Sequence, residues 1–212
     1  MSTPVVPQPS SGPQFTFGGY ADAATLPAVS FWPRAGARVI DMVLINIAAF
    51  VSIIFFSILI GIAGAMAGRS PHWMQQRLSG FSFAALFFGL GGAILFHAVC
   101  EGLHGSSPGK LILGQVVLSD DGMPCSFKAA LGRSCAYVVD SLFFGAVGYL
   151  AMSGTPLQQR HGDKWFHTAV CKRAEIDPTR LRSGERFIGA LAIALLVNAG
   201  FVGLGLAARL VL

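Results

Sequence analysis

From Val39 to Ile62 the chain runs 24 residues with Asp41 as its only charge, and from Phe187 to Ala208 it runs 22 residues with none. A bilayer core of about 30 Å needs roughly 20 apolar residues in a helix. A third window, 81–101, is similar, and a fourth, Ser134 to Met152, carries Asp140 and is interrupted by Gly145 and Gly148. These runs are continuous and rich in Leu, Ala, Phe and Gly, whereas a membrane barrel alternates. The sequence therefore predicts an all-α integral membrane protein, a small bundle of three to four transmembrane helices. One of these is predicted to be broken or re-entrant, and Leu111 to Leu118 reads as a short strand or interfacial segment.

Charged residues make up 12% of the chain, about half the share usual in soluble proteins. The net charge of +5 fits basic loops and anionic lipid better than nucleic acid, for which no module is present. Cys100, Cys125, Cys135 and Cys171 have neither zinc spacing nor a disulfide framework. Residues 1–30 are rich in Pro, Gly and Ser and read as a flexible cytoplasmic tail, with Phe15, Phe17 and Tyr20 as candidate contacts.

Basic residues argue about topology. Four plain crossings with the N-terminus inside place 9 Lys and Arg outside and 6 inside. If the Asp140 stretch turns back at Gly145–Gly148, the split becomes 12 inside and 3 outside, which the positive-inside tendency favours.

Two stretches look like copies. Arg34 to Asp41 and Arg133 to Asp140 are each Arg, six residues, Asp, entering an apolar run. On a helix these two ends share a face, about 10 Å apart along the axis. The arginines would sit near the membrane surface, and the aspartates would sit deeper, where charge is costly. Arg38 lies on the same face as Arg34 and Asp41.

The ordered pieces extend well beyond these copies. They are Phe31-Trp32-Pro33-Arg34 to Ile40-Asp41, Glu101, Gly105-Ser106-Ser107-Pro108-Gly109-Lys110, and Gly114-Gln115-Val116-Val117. Ser126-Phe127, Ala130-Leu131 to Arg133 and Asp140, Gln159-Arg160-His161-Gly162-Asp163-Lys164, and Thr168-Ala169-Val170 complete the set. Over residues 31–172 this order resembles the RDD family of small bacterial membrane proteins, named for one arginine and two aspartates. Ser107, Ser106 and His161 depart from the family's usual threonine, basic and apolar residues, and 187–212 lies outside the resemblance as an added helix after a basic linker, 173–186. The resemblance implies a multi-pass inner-membrane protein with Arg34, Asp41 and Asp140 as its name-giving residues. At least one member is regarded as a sodium/proton antiporter.

Two carboxylates in low dielectric do not easily both ionise, so a proton or a Na⁺ neutralises them in turn. On this reading Asp41 and Asp140, with Glu101, form the ion and proton site. Arg34, Arg38 and Arg133 are charge partners, and Pro108, Gly109, Lys110, Arg160 and Asp163 are further motif positions. The Gly105–Lys110 stretch lacks the strand and residue order of a phosphate loop, and Lys110 is expected to snorkel to headgroups. His97, Cys100, Glu101 and His104 share a helical face, expected at headgroup level rather than around a metal. No nucleophile–base pattern appears, so no enzyme, cofactor or metal is expected. The expected partners are the bilayer, Na⁺ and H⁺, and a second copy or another membrane protein. The alternative reading is a non-catalytic scaffold or regulatory subunit.

Overall fold

A computed structural model describes residues 26–80 and 82–211, so the expectation for residues 1–25 lies outside the described residues. Three helices are long and apolar enough to cross a membrane: α1 (Phe31–Met66), α3 (Phe83–Leu103) and α8 (Glu185–Val211). Pro33 suits the first turn of α1, where its missing N–H costs nothing. Thirty-six residues extend α1 to about 54 Å, longer than the hydrocarbon layer, so its first turns stand in the polar part of the molecule. One stripe of α1 faces inward, through Arg34, Ala37, Asp41, Ile45 and Ser52, while Phe50, Val51 and Phe55 point outward.

A short α2 (Pro71–Leu78) turns the chain, and Ser82 caps α3 by accepting a hydrogen bond from Ala85 N. Ile45, Phe96, Val99, Cys100 and Ala194 form the core between the three long helices. Gly91 and Gly92 of α3 sit under Phe201 and Asn198 of α8, so the added C-terminal helix packs at glycine distance.

The fourth apolar window forms no continuous long helix. It breaks into α5 (Phe127–Asp140), a 3-10 turn (Leu142–Gly145) and α6 (Ala146–Ser153). Gly145 has φ +88°, which ends the first helix and re-aims the chain. At 14 residues α5 is about 21 Å long, too short to span.

Two further short helices each lead into a strand: α4 (Pro108–Ile112) into β1 (Gln115–Ser119), and α7 (His161–Trp165) into β2 (Thr168–Lys172). β1 and β2 pair antiparallel with Val117 opposite Val170. Both faces of this ribbon are covered, one by Leu26, Leu157 and Ile176 and the other by Val29, Cys125 and Ala130. That places residues 26–30 differently from the tail expected on composition: Val29 N donates to Val170 O at 2.9 Å and Lys172 N donates to Pro27 O at 2.9 Å. The segment 173–186 is likewise held, since Arg182 donates to the carbonyls of Gly102 and Cys125.

All the short elements from α4 to β2 gather at the end where α1 starts and α3 finishes. Twelve of the fifteen Lys and Arg residues belong to that end, and Arg69, Arg77 and Arg209 to the other.

Candidate functional site

The resemblance between the Arg-x6-Asp stretches extends to what each packs against. Asp41 of α1 accepts from Gly109 N at 2.7 Å and Ser107 Oγ at 2.6 Å, at the start of α4. Asp140 of α5 accepts from His161 N at 3.2 Å and Gly162 N at 3.4 Å, at the start of α7. A helix start offers unpaired N–H groups, which suit a carboxylate. Pro108 has no N–H, so the Ser107 hydroxyl supplies the second donor in the first copy. A Cβ on Gly109 would meet Ala37, and one on Gly162 would meet Ala136, the third residue after each arginine. The chain thus carries two copies of one unit: Arg-Asp helix, Gly-led short helix, strand. The two strands join the copies.

The arginines do not pair with the aspartates of their own helices. Arg34 Nη1 donates to Asp163 Oδ2 at 2.9 Å and Arg133 Nη2 lies 2.8 Å from Asp163 Oδ1. Arg133 Nη1 then reaches Glu101 Oε2 at 3.1 Å, and Glu101 holds Lys110 through its other oxygen. Arg34, Asp163, Arg133, Glu101 and Lys110 form an alternating ladder, all buried. Burial pushes the Asp163 carboxyl up, but Arg133, Arg160 and Arg34 overcome this and hold it well below the usual carboxylate range. Burial lowers the Lys110 ammonium to about 8, with Glu101 acting against it.

Lys110 therefore does not snorkel: it is 7% exposed and turns inward onto Glu101. His97, Cys100, Glu101 and His104 share a face as expected, but that face is buried rather than at the headgroups.

Asp41 and Asp140, expected to share one ion, are divided between two cavities. Asp41 lines a small polar one with His97, Glu101, Lys110 and Arg133, with about 20 Å³ open to the centre of a water-sized group. Asp140 lines a larger one of about 460 Å³ beside Phe31, Met42, Gly145 and Met152. Arg38, Tyr137 and Arg160 line both cavities; Arg38 lies 4.0 Å and Arg160 5.1 Å from the Tyr137 ring centre. Of the three carboxylates proposed from sequence, Asp41 and Glu101 are brought together and Asp140 is not.

Sequence reasoning placed Asp163 only among the further motif positions and missed it as the anion both arginines share. It also missed His97, whose Nδ1 lies 3.7 Å from Asp41 Oδ2, and Ser107 as a donor. A usable signal was present: Gly109-Lys110 and Gly162-Asp163 occupy matching places in the two copies, with opposite charge.

A profile of the RDD family matches residues 28–167, which takes in α1 to α7 and stops before α8. No curated protein and no solved structure matches the chain.

Proposed function

Because the chain belongs to the RDD family, we propose that this membrane protein is a small secondary transporter exchanging Na⁺ or a similar cation for H⁺, with Asp41 as the exchanging carboxylate. The observation that carries this reading is the kind of partner each acid has. Glu101 and Asp163 are held by Lys and Arg. Asp41 is 1% exposed and, among the described residues, accepts from a hydroxyl and a backbone N–H rather than from Lys or Arg. A buried carboxylate without a bonded cation is relieved by taking a proton or a small cation, and the two compete. Ser107 can turn its hydroxyl oxygen toward a cation in place of donating. His97, with neither ring nitrogen hydrogen-bonded among the described residues, stands where a proton would leave. The small cavity has room for one ion or one water, not for an organic substrate.

The Lys and Arg distribution supports a cytoplasmic position for the end that holds the N-terminus of α1, in the bacterial inner membrane. Three spans are few for enclosing a pathway, so transport by this route requires a homo-oligomer.

Cation-driven proton movement in proteoliposomes tests the reading. Asp41→Asn is expected to reduce flux to the protein-free level. Asp140→Asn is expected to keep most of it, because Asp140 lies outside the small cavity and the amide oxygen still accepts from His161 N. Wild-type flux in Asp41→Asn removes the proposal. Equal loss in both variants returns the site to a shared pair of aspartates. The scaffold reading draws on the compensated ladder, a rigid frame that needs no ion. No cation-dependent flux in any variant, with a stoichiometric partner from native membranes, would favour it.

A further inference from the structure

We infer that the larger cavity binds the phosphate headgroup of an anionic phospholipid between Arg38 and Arg160, with an acyl chain running along Val39 and Met42. Arg38 has no hydrogen bond and no ion pair among the described residues, and its Nε is buried without a partner. Its one specific contact is the face of Tyr137. Arg160 also lies near the Tyr137 ring, 5.1 Å from its centre, and its buried Nε is 3.8 Å from Asp163 and lacks a hydrogen bond. A guanidinium in a partly desolvated place requires an anion, and a planar fork suits phosphate.

Charge in the cavity favours that ligand. Arg34, Arg38 and Arg160 line it against one acid, Asp140. Asp140 directs its oxygens to His161 N, His161 Nδ1 and Gly162 N, so it is already occupied. Arg34 is matched by Asp163, whereas Arg38 makes no ion pair among the described residues.

Shape points to a lipid as the source. The cavity is about 460 Å³, within the range of small-molecule sites, and its walls away from the arginines are apolar. Val39 and Met42 are 60% and 45% exposed on the outer flank of α1, so the cavity wall continues onto the surface that faces acyl chains. Trp32, 76% exposed and six residues before Arg38 on the same helix, marks the headgroup level. This inference does not depend on transport; Arg38 and Arg160 also line the small cavity that holds Asp41.

Native mass spectrometry of the full chain in detergent, titrated with phosphatidylglycerol or phosphatidylcholine, provides the test. The wild type is expected to retain one phosphatidylglycerol about tenfold more tightly than phosphatidylcholine. Arg38→Gln is expected to erase that preference with an unchanged or higher melting temperature, because an unmatched charge is removed. Arg160→Gln is expected to weaken it independently. Equal retention of the two lipids, or an undiminished preference in both variants, overturns the inference. Displacement of the lipid by millimolar inorganic phosphate, with equal stabilisation by phosphate alone, also overturns it and assigns a free-anion site instead.

Discussion

Gly109→Ala is expected to leave little folded protein in the membrane. A Cβ there would lie 2.0 Å from Ala37 O, 2.9 Å from Ala37 C and 3.0 Å from Asp41 Oδ1. The first two are backbone atoms in the middle of a helical turn and have no rotamer to change. Relief requires α4 to withdraw from α1 by more than an ångström, which breaks the Gly109 N–Asp41 bond and moves Lys110 off Glu101. Overpacking alone costs about 1–3 kcal/mol. Freeing a buried carboxylate from its donor adds about 1–3 kcal/mol. The sum, about 2–6 kcal/mol, reaches the lower end of a typical domain's stability, roughly 5–15 kcal/mol. Gly162→Ala is the internal comparison. Its Cβ would meet the Ala136 methyl at 2.9 Å and Arg133 O at 3.1 Å, a milder collision in the equivalent place. Thermal unfolding in detergent should rank wild type above Gly162→Ala, and Gly162→Ala well above Gly109→Ala. A Gly109→Ala protein as stable as wild type would mean that the two helices are not in contact as described.

The second large effect is expected at Arg133. Arg133→Gln removes the cation that, among the described residues, bonds both Asp163 and Glu101, leaving Asp163 to Arg34 and the more distant Arg160, and Glu101 to Lys110. Breaking a buried pair from one side costs about 3–5 kcal/mol, because the partner stays charged and desolvated. The same change at Arg38, which makes no ion pair among the described residues, should leave stability unchanged or raise it. Adding Glu101→Gln to Arg133→Gln should restore part of the loss, since the two positions are coupled. Additive losses would contradict the ladder.

The spans were legible because hydropathy is a local property: 39–62 and 187–208 announce α1 and α8 without reference to any other part of the chain. The Arg-x6-Asp copies were visible for the same reason. Their partners were not, because no spacing links them: Gly109 follows Asp41 by 68 residues and Gly162 follows Asp140 by 22. Reading each arginine with the aspartate of its own helix was the natural error. At seven residues the two groups stand two turns apart, and an acid from another element, Asp163, lies within direct reach. Lys110 misled in a different way. Gly, Ser and Pro before it resemble a surface turn, yet that turn folds inward to cap Asp41. The break at Gly145 was foreseen as a way to balance basic residues. What hydropathy did not resolve is that α5 ends at the aspartate itself, where α7 supplies its donors.

The central claim is that the Asp41 carboxyl exchanges a proton for a cation. Infrared difference spectra of the reconstituted protein, with and without Na⁺ at fixed pH, address it at the group itself. The account predicts a protonated-carboxyl C=O band that disappears on adding Na⁺, persists in Asp140→Asn and is missing from Asp41→Asn. A spectrum with no Na⁺-sensitive carboxyl band, or one whose band survives in Asp41→Asn, would contradict it.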